Sequence, residues 1–401
     1  MNRRRIKITG IGPVSPTGIG RVEFWNGLLD GKSRGITIKR FREEAGHFVG
    51  AEVPDFSLDR YVSQIPSKRI PRHTQFAIAA AVLAINDANI SHNELRASRV
   101  AIYTGAALMD FGTINKSVEM ILRRGPVNGL PSAITSASVS AIGAAVSDYL
   151  ELPNTMNMAF QSACCSGLDA IGHAAMMLSR GEADIAICGG TEAPIYFHPM
   201  LELRMAGLAP GNPDKPELQC RPFDLWRTTG MIGEGACMLV LEPENSSREH
   251  YAFIDGYASA SDRVGALCSG LGSAMRSCIS NAGLVTNDVE SINTWGPGHR
   301  EIDKHEAKMI EDVFRVRVED TPAYSIKGAI GNPLGAAGAL QTAAAACGVC
   351  EGIVLPTVNW KYKDPDCALN LSNTIRFVSH RNSLINAHGI SGANACLLIS
   401  R

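Results

Sequence analysis

The chain has no long hydrophobic run, no excess of charge of either sign and no second pair of cysteines to match Cys347-Gly-Val-Cys350. Its apolar stretches fall short of the roughly 18 residues of a membrane span, and Met-Asn-Arg-Arg-Arg-Ile-Lys runs into a strand-like segment without the apolar core of a signal peptide. A cytoplasmic protein with no membrane span is the expectation. A net charge of -1 gives nucleic-acid binding no electrostatic support, so a basic partner site has to be local. Without export signals, eleven cysteines read as free thiols rather than a disulfide framework. A single CxxC at the end of an Ala-rich helix cannot supply four zinc ligands, and no metal site is expected. The glycine-rich run 331–338 contains no GxxxxGK[ST], which removes a nucleotide-binding reading.

What is present is 401 residues with 45% hydrophobic content, enough to bury a large α/β core. Residues 5–11 alternate like a strand that stops at Gly12-Pro13, and a helix follows over 22–29. Residues 75–88 are almost continuously apolar, as in a helix buried on most of its surface. The short runs 99–105, 155–160, 185–190 and 237–242, several bounded by glycines, read as buried strands. A second series repeats this order: strand 252–257, helix 265–282, strand 291–294, helix 302–314, strand 324–325, helix 335–346 and strand 395–399. Two local likenesses suggest duplication: Ile8-Thr-Gly-Ile-Gly against Ile254-Asp-Gly-Tyr-Ala, and Gly233-Glu-Gly-Ala-Cys-Met-Leu-Val-Leu against Ser391-Gly-Ala-Asn-Ala-Cys-Leu-Leu-Ile. No flexible linker is visible, so the halves are expected to share one core. Residues 215–224, rich in proline and charge, read as a loop.

Residues 161–170, Gln-Ser-Ala-Cys-Cys-Ser-Gly-Leu-Asp-Ala, place a thiol where an apolar strand gives way to a helix of small residues. The first N–H groups of a helix are unpartnered and its dipole is positive there, which favours thiolate over thiol. Cys164 is the candidate nucleophile. Cys165, one residue further along a helix, would point about 100° away.

The motifs Thr9 to Gly18, Ser162-Ala-Cys-Cys-Ser-Gly, Gly189-Gly-Thr-Glu-Ala, Arg221-Pro-Phe-Asp, Gly233-Glu-Gly-Ala, Lys327-Gly-Ala-Ile-Gly-Asn-Pro-Leu-Gly-Ala-Ala-Gly and Asn386-Ala-His-Gly-Ile-Ser-Gly-Ala-Asn follow in order along the chain. With them the sequence resembles, end to end, the beta-ketoacyl-[acyl-carrier-protein] synthases of the synthase II type, within the thiolase superfamily. The resemblance implies a thiolase-like five-layer αβαβα fold of two similar halves. Residues 1–248 would carry the nucleophile, and residues 249–401 the positions of the family's histidines and the second oxyanion donor. It also implies a dimer, homodimeric or formed with a second ketosynthase, and no permanently bound cofactor. The substrates would arrive on the phosphopantetheine of an acyl carrier protein: Cys164 takes the acyl group, and a decarboxylated malonyl unit attacks it. The oxyanion donors would be the backbone N–H groups of Cys164 and Ile390, with Gly389 allowing the backbone to come close.

The family's two catalytic histidines are missing. Trp295 stands at the first position, in Asn293-Thr-Trp-Gly-Pro-Gly-His, and Asn332 at the second. Neither side chain can accept and return a proton near neutral pH, although both can donate a hydrogen bond. His388, where the family usually has phenylalanine, is the expected replacement imidazole, and His299 a weaker one. Ile390 and Gly230 replace pocket phenylalanines and suggest a roomier acyl pocket, which Trp226 and Trp295 could refill. Leu108 and Met109 fall where chain-length-limiting residues are expected, and Asp110 reads as a helix cap. Lys327, Glu306 and Asp303 occupy the positions of a buried ion-pair network, with a structural role expected. Lys68, Arg69, Arg72 and Arg204 are candidates for meeting an acidic carrier-protein helix. Three functions stay open: an altered condensing enzyme, a non-elongating acyltransferase, and a partner subunit like a chain-length factor. The retained cysteine argues against the third.

Overall fold

β1 (Ile6–Ser15) is the seam at which two similar halves meet in the computed structural model, which describes residues 4–41, 47–62, 70–211 and 214–401. The first half continues with α1 (Arg21–Leu29), α2 (Arg72–Asp87), β2 (Val100–Gly105), α3 (Phe111–Arg124), β3 (Met156–Phe160), α4 (Ser166–Ser179), β4 (Ile185–Glu192) and β5 (Gly235–Pro243). The second half contains β6 (Ala252–Ser261), α5 (Ser269–Asn281), β7 (Ile292–Asn293), α6 (Arg300–Phe314), β8 (Ala323–Tyr324), α7 (Ala337–Glu351), β9 (Asn382–His388) and β10 (Ala393–Ser400).

Among the described residues these strands form one path, β8-β7-β9-β10-β6-β1-β5-β4-β2-β3. Numbered within its own half, each set of strands has the order first, fifth, fourth, second, third, with the same sequence of antiparallel and parallel pairings. The halves join where Ile6–Ile8 of β1 pair with Ala252–Ile254 of β6. α2 covers the outer face of the first sheet, α4 and α7 fill the space between the sheets, and α5 and α6 cover the second. That is the αβαβα order, and the core between the sheets draws on both halves.

The repeat extends to an irregularity. The β1–β5 ladder slips register between Ile8 and Gly10, and the β6–β10 ladder slips between Ile254 and Gly256. Each glycine lies under a helix. A Cβ on Gly10 would meet the Ala84 carbonyl oxygen at 2.1 Å, and one on Gly256 the Cys278 carbonyl oxygen at 2.3 Å. The likeness between residues 8–12 and 254–258 therefore marks the same device in both halves, a bulge with no side chain that lets a helix sit directly on the sheet.

The pattern of apolar residues misleads at three places. β1 does not stop at Gly12-Pro13 but continues to Ser15. Beyond Ile8 it has lost β6 as a neighbour, and at Pro13 that side meets only the end of a short hairpin arm, where Gly20 N–H donates to the Pro13 carbonyl at 2.8 Å, so the missing N–H is tolerated. β3 is not buried but forms the edge of the sheet, leaving Met156 and Met158 38% and 47% exposed. β9 is fully buried although Asn382, Ser383 and Asn386 interrupt its apolar pattern. Two of them bond to other elements: Asn386 Nδ2 donates to Glu306 Oε1 at 3.2 Å and Asn382 Nδ2 to the Asp288 carbonyl at 2.8 Å. The 215–224 segment is irregular apart from one turn at Pro216–Leu218, and the central helices pack closely where Gly338 faces Leu168.

Gly10→Ala and Gly256→Ala each place a methyl group against a helix backbone that cannot swing aside. Each is expected to cost about 1–3 kcal/mol, seen as a lowered thermal midpoint; unchanged midpoints would contradict the shared bulge packing.

Candidate active site

Between the end of β3 and the start of α4 the chain makes one tight 3-10 turn, Ala163–Cys165, with Ala163 in the left-handed region at φ 51°. An alanine there costs roughly 1–2 kcal/mol, so neighbours must hold it. Ser162 donates its hydroxyl to Asp169, Tyr257 donates to the same carboxylate at 2.8 Å, and the Ser162 N–H reaches Ser166 Oγ at 3.0 Å. The turn puts Cys164 just ahead of α4, 5% exposed. Cys165 faces elsewhere, its thiol donating to the Ala393 carbonyl at 3.4 Å. From the second half, Gly389 presses on this turn: a Cβ there would lie 2.9 Å from the Ala163 Cβ. The close approach brings the backbone N–H of Ile390 to the Cys164 sulfur, where it and the N–H of Cys164 itself both favour the thiolate.

The expectation of a ready thiolate is nonetheless overturned. Burial pushes the Cys164 thiol up to about 12, and the nearby Glu192 carboxylate adds to the shift. The helix N-terminus and the two N–H groups are outweighed because the second half closes over the sulfur and removes water.

Cys164 opens on an apolar cavity of about 100 Å³, whose lining includes Leu108, Trp295, His299, Asn332, His388 and Ile390. His388, 1% exposed, has its Nδ1 2.9 Å from Asn394 Oδ1. The Asn394 amide is oriented by its own donations, to Asp262 Oδ1 at 2.8 Å and to the carbonyls of Ala260 and Gly392. Its oxygen therefore faces the imidazole, His388 Nδ1 carries the proton, and Nε2 is left as a lone pair. That Nε2 is buried and without a hydrogen-bond partner. Burial lowers the basicity of His388, which keeps it neutral at rest. Asn332 is fixed by backbone bonds to Met231 and Gly233 and by Leu334 N–H donating to its Oδ1 at 3.2 Å, so its amide NH₂ is the free end.

Trp295 is fully enclosed at 1% exposure. Lys327 Nζ sits 4.4 Å from its ring centroid and donates to its carbonyl at 3.1 Å and to Gln341 Oε1 at 2.7 Å. The expected Lys327–Glu306–Asp303 ion-pair network is not what holds these groups. Glu306 instead accepts the N–H groups of Trp295 and Gly296, both at 2.7 Å, while Asp303 accepts those of Phe223 at 2.8 Å and Gly298 at 3.1 Å. Burial brings Lys327 down to about 7 and Asp303 up to about 8, so burial and not ion pairing dominates their charge states. The carboxylates shape the loop that carries Trp295.

Other expected roles also change. Gly230 does not widen the cavity: at φ 74° it lies against the Pro297 carbonyl, where a Cβ would sit 2.3 Å from the oxygen. Met109 is outside the cavity lining, as is Trp226, which is 64% exposed on the surface. Asp110 does cap α3, accepting from Thr113 N at 2.8 Å. Arg72 is committed to buried Glu234, with its amino group 2.6 Å from Oε1. Arg204 lies over the Phe48 ring at 3.8 Å and donates to the His47 carbonyl. Arg72 is therefore engaged by a carboxylate, Arg204 is held by a ring and a carbonyl without one, and Lys68 and Arg69 lie outside the described residues. One central group goes unassigned by sequence reasoning, Glu192. Its carboxylate accepts from Ala107 N at 2.7 Å, Leu108 N at 3.2 Å and Gly335 N at 3.0 Å, and burial raises it to about 8. Its presence in Gly189-Gly-Thr-Glu is the only signal the sequence holds.

A cysteine on a tight turn between strand and helix, within a duplicated αβαβα fold, is the architecture of the thiolase-like condensing enzymes. The sequence matches the beta-ketoacyl synthase N-terminal domain over residues 3–247 and the C-terminal domain over residues 251–361. The chain belongs to the beta-ketoacyl synthase family, the condensing enzymes of fatty acid and polyketide biosynthesis. It is 32% identical to 3-oxoacyl-[acyl-carrier-protein] synthase 2 of Coxiella burnetii, covering 100% of this chain and 99% of that one, and 30% identical to the Staphylococcus aureus (strain COL) protein of the same name, covering 99% and 98%. Among solved structures, the ishigamide ketosynthase/chain length factor superposes with a TM-score of 0.93 at 28% identity, covering 99% of both chains. A type II PKS acyl-carrier protein in complex with its ketosynthase bound to the hexaketide gives 0.90 at 25%, again covering 99% of both. Enzymes of this family act on acyl groups carried by phosphopantetheine and keep no permanent cofactor. No helix among the described residues is long and apolar enough to cross a membrane.

Alkylation of Cys164 by iodoacetamide at pH 7 is expected to be on the order of 10³-fold slower than that of a free cysteine, the ratio of their thiolate fractions, and to rise about tenfold per pH unit up to pH 10. Peptide mapping across that range reads the rate; a plateau by pH 8 would show a stable thiolate instead.

Proposed function

We propose that the chain is a carrier-dependent condensing enzyme in which Cys164 forms the acyl thioester and His388 takes the place of the missing imidazoles. The observation that carries this reading is His388 Nε2, an unpartnered buried lone pair on the cavity that holds the Cys164 thiol. With the thiol raised and the imidazole lowered, thiol and imidazole rest uncharged. The proton therefore leaves sulfur as the sulfur attacks: Cys164 Sγ bonds to the acyl carbonyl carbon, His388 Nε2 takes the thiol proton, and the phosphopantetheine thiolate leaves and recovers it. The backbone N–H groups of Cys164 and Ile390 hold the oxyanion. In the second half-reaction the malonyl carrier loses CO₂ and its electron pair becomes an enolate. The enolate carbon attacks the acyl carbonyl and Cys164 leaves as thiolate, taking one proton from solvent. Asn332 Nδ2 and the Trp295 indole N–H are donors available to the enolate oxygen.

The division into residues 1–248 and 249–401 follows from this reading, with the nucleophile on one half and His388 and Ile390 on the other. So does a partner on the β3 edge. Met156 and Met158 are exposed there, and α3 exposes Val118, Ile121 and Leu122; a second copy or a second ketosynthase would cover such a face, giving a homodimer or heterodimer. An acyl carrier protein is the substrate donor, and the cytoplasm the place of action. Leu108 and Ile390 line the acyl pocket. The enclosed Trp295 and the small apolar cavity favour a second reading, acyl transfer without elongation, because little space is left for a malonyl group.

Intact-protein mass spectrometry after addition of acyl-carrier protein, then malonyl-carrier protein, decides among the readings. An acyl group on Cys164 and a ketoacyl product are expected; acylation without the product selects acyl transfer, and no acylation selects a partner subunit. His388→Ala should slow Cys164 acylation by about 10²–10⁴-fold; an unchanged rate would remove His388 from the mechanism.

A further inference from the structure

The same cavity holds a second imidazole whose tautomer is fixed in the opposite sense. His299 is the N-cap of α6, and its Nδ1 accepts the backbone N–H groups of Glu301 at 3.2 Å and Ile302 at 3.3 Å. A ring nitrogen that accepts from backbone amides carries no proton, so in the neutral ring the proton is on Nε2. Burial lowers the basicity of His299, which keeps the ring neutral. The segment around it is clamped: Arg300 N–H reaches the Thr228 carbonyl at 2.9 Å, Asp303 N–H reaches the His299 carbonyl at 3.0 Å, and Gly298 N–H reaches Asp303 Oδ1 at 3.1 Å. The ring lines the cavity together with Cys164, Asn332 and His388. With Nδ1 turned back onto the helix, the opposite edge of the ring, bearing Nε2–H, is the one left for a ligand.

We infer that His299 Nε2–H is a catalytic hydrogen-bond donor to the thioester oxygen of the malonyl unit as CO₂ departs, paired with Asn332 Nδ2. The inference rests on the condensing reading above. Loss of CO₂ breaks the bond between the carboxylate carbon and the α-carbon. Its electron pair passes into the enolate, whose oxygen gains the negative charge, and no proton is transferred at this step. Two neutral donors aimed at that oxygen meet the requirement without a charged imidazole. His388 and His299 then divide the work by tautomer, one offering a lone pair to the thiol and the other an N–H to the enolate.

Because His299 also caps α6, the test must separate the two roles. Asparagine is a favoured N-cap that keeps an acceptor for the α6 amides but is too short to reach as far as Nε2. Wild type, His299→Asn and His299→Ala are each supplied with acyl-carrier protein and then malonyl-carrier protein, and mass spectrometry follows three quantities: acyl-Cys164, loss of CO₂ from the malonyl carrier, and ketoacyl product. His299→Asn is expected to keep its thermal midpoint and its acylation rate while decarboxylation falls by on the order of 10²-fold, the usual effect of removing one oxyanion donor. His299→Ala should lose the same step and melt lower as well. Decarboxylation by His299→Asn at the wild-type rate would overturn the role of His299 and leave the condensing reading standing. Wild-type enzyme that acylates Cys164 but never decarboxylates malonyl would overturn both.

Discussion

The carboxylate of Glu192 is the constraint on which the site depends. It is buried at the end of β4, directly behind the cysteine, and it gathers backbone N–H groups from the loop after β2 and from the segment entering α7. Those segments belong to different halves of the chain. A buried carboxyl group deprived of water needs its bonds made, so the halves cannot drift apart at this point without exposing it. The same closeness lets Gly389 press on the nucleophile turn and brings the Ile390 N–H to the sulfur. The fold therefore assembles the site from both copies of a duplicated unit, and Glu192 joins them where the chemistry is proposed to occur.

That closure also determines the electrostatic character of the site. Dry surroundings raise the thiol and lower both imidazoles, so the groups proposed to react stay uncharged until substrate arrives. A neutral site needs its proton donors and acceptors fixed in advance, and here backbone and amide bonds do it: Asn394 for His388, the first turn of α6 for His299. Trp295 occupies the space next to them and presents its ring to Lys327, while Glu306 holds the Trp295 backbone. The cavity thus meets an enclosed Trp295, held by its backbone, and the carboxamide of Asn332.

Much of this was legible in the order of residues. The strand-to-helix junction at Cys164 shows because a short apolar run meets a run of small residues, and the duplication shows because a bulge with a bare glycine recurs at Gly10 and Gly256. Trp295 and Asn332 draw notice in the sequence because recognisable motifs flank them. What does not show is anything set by distant partners. Arg72 reads as a free surface charge until Glu234, 162 positions away, is seen bonded to it. The direction of the Cys164 shift depends on burial by residues of the other half. Gly230 reads as vacant space, whereas the Pro297 carbonyl fills it. His388 and His299 differ only in which ring nitrogen is engaged, and neither composition nor spacing carries that information.

The central claim is that two neutral imidazoles of opposite tautomer line the cavity of the cysteine. Selective ¹⁵N-histidine labelling of the unliganded protein, with His388→Gln and His299→Gln for assignment, reads it directly by NMR at pH 7. The account predicts a pyridine-type Nε2 with a protonated Nδ1 for His388, and a pyridine-type Nδ1 with a protonated Nε2 for His299. The same tautomer at both positions, or a doubly protonated ring at either, would contradict it.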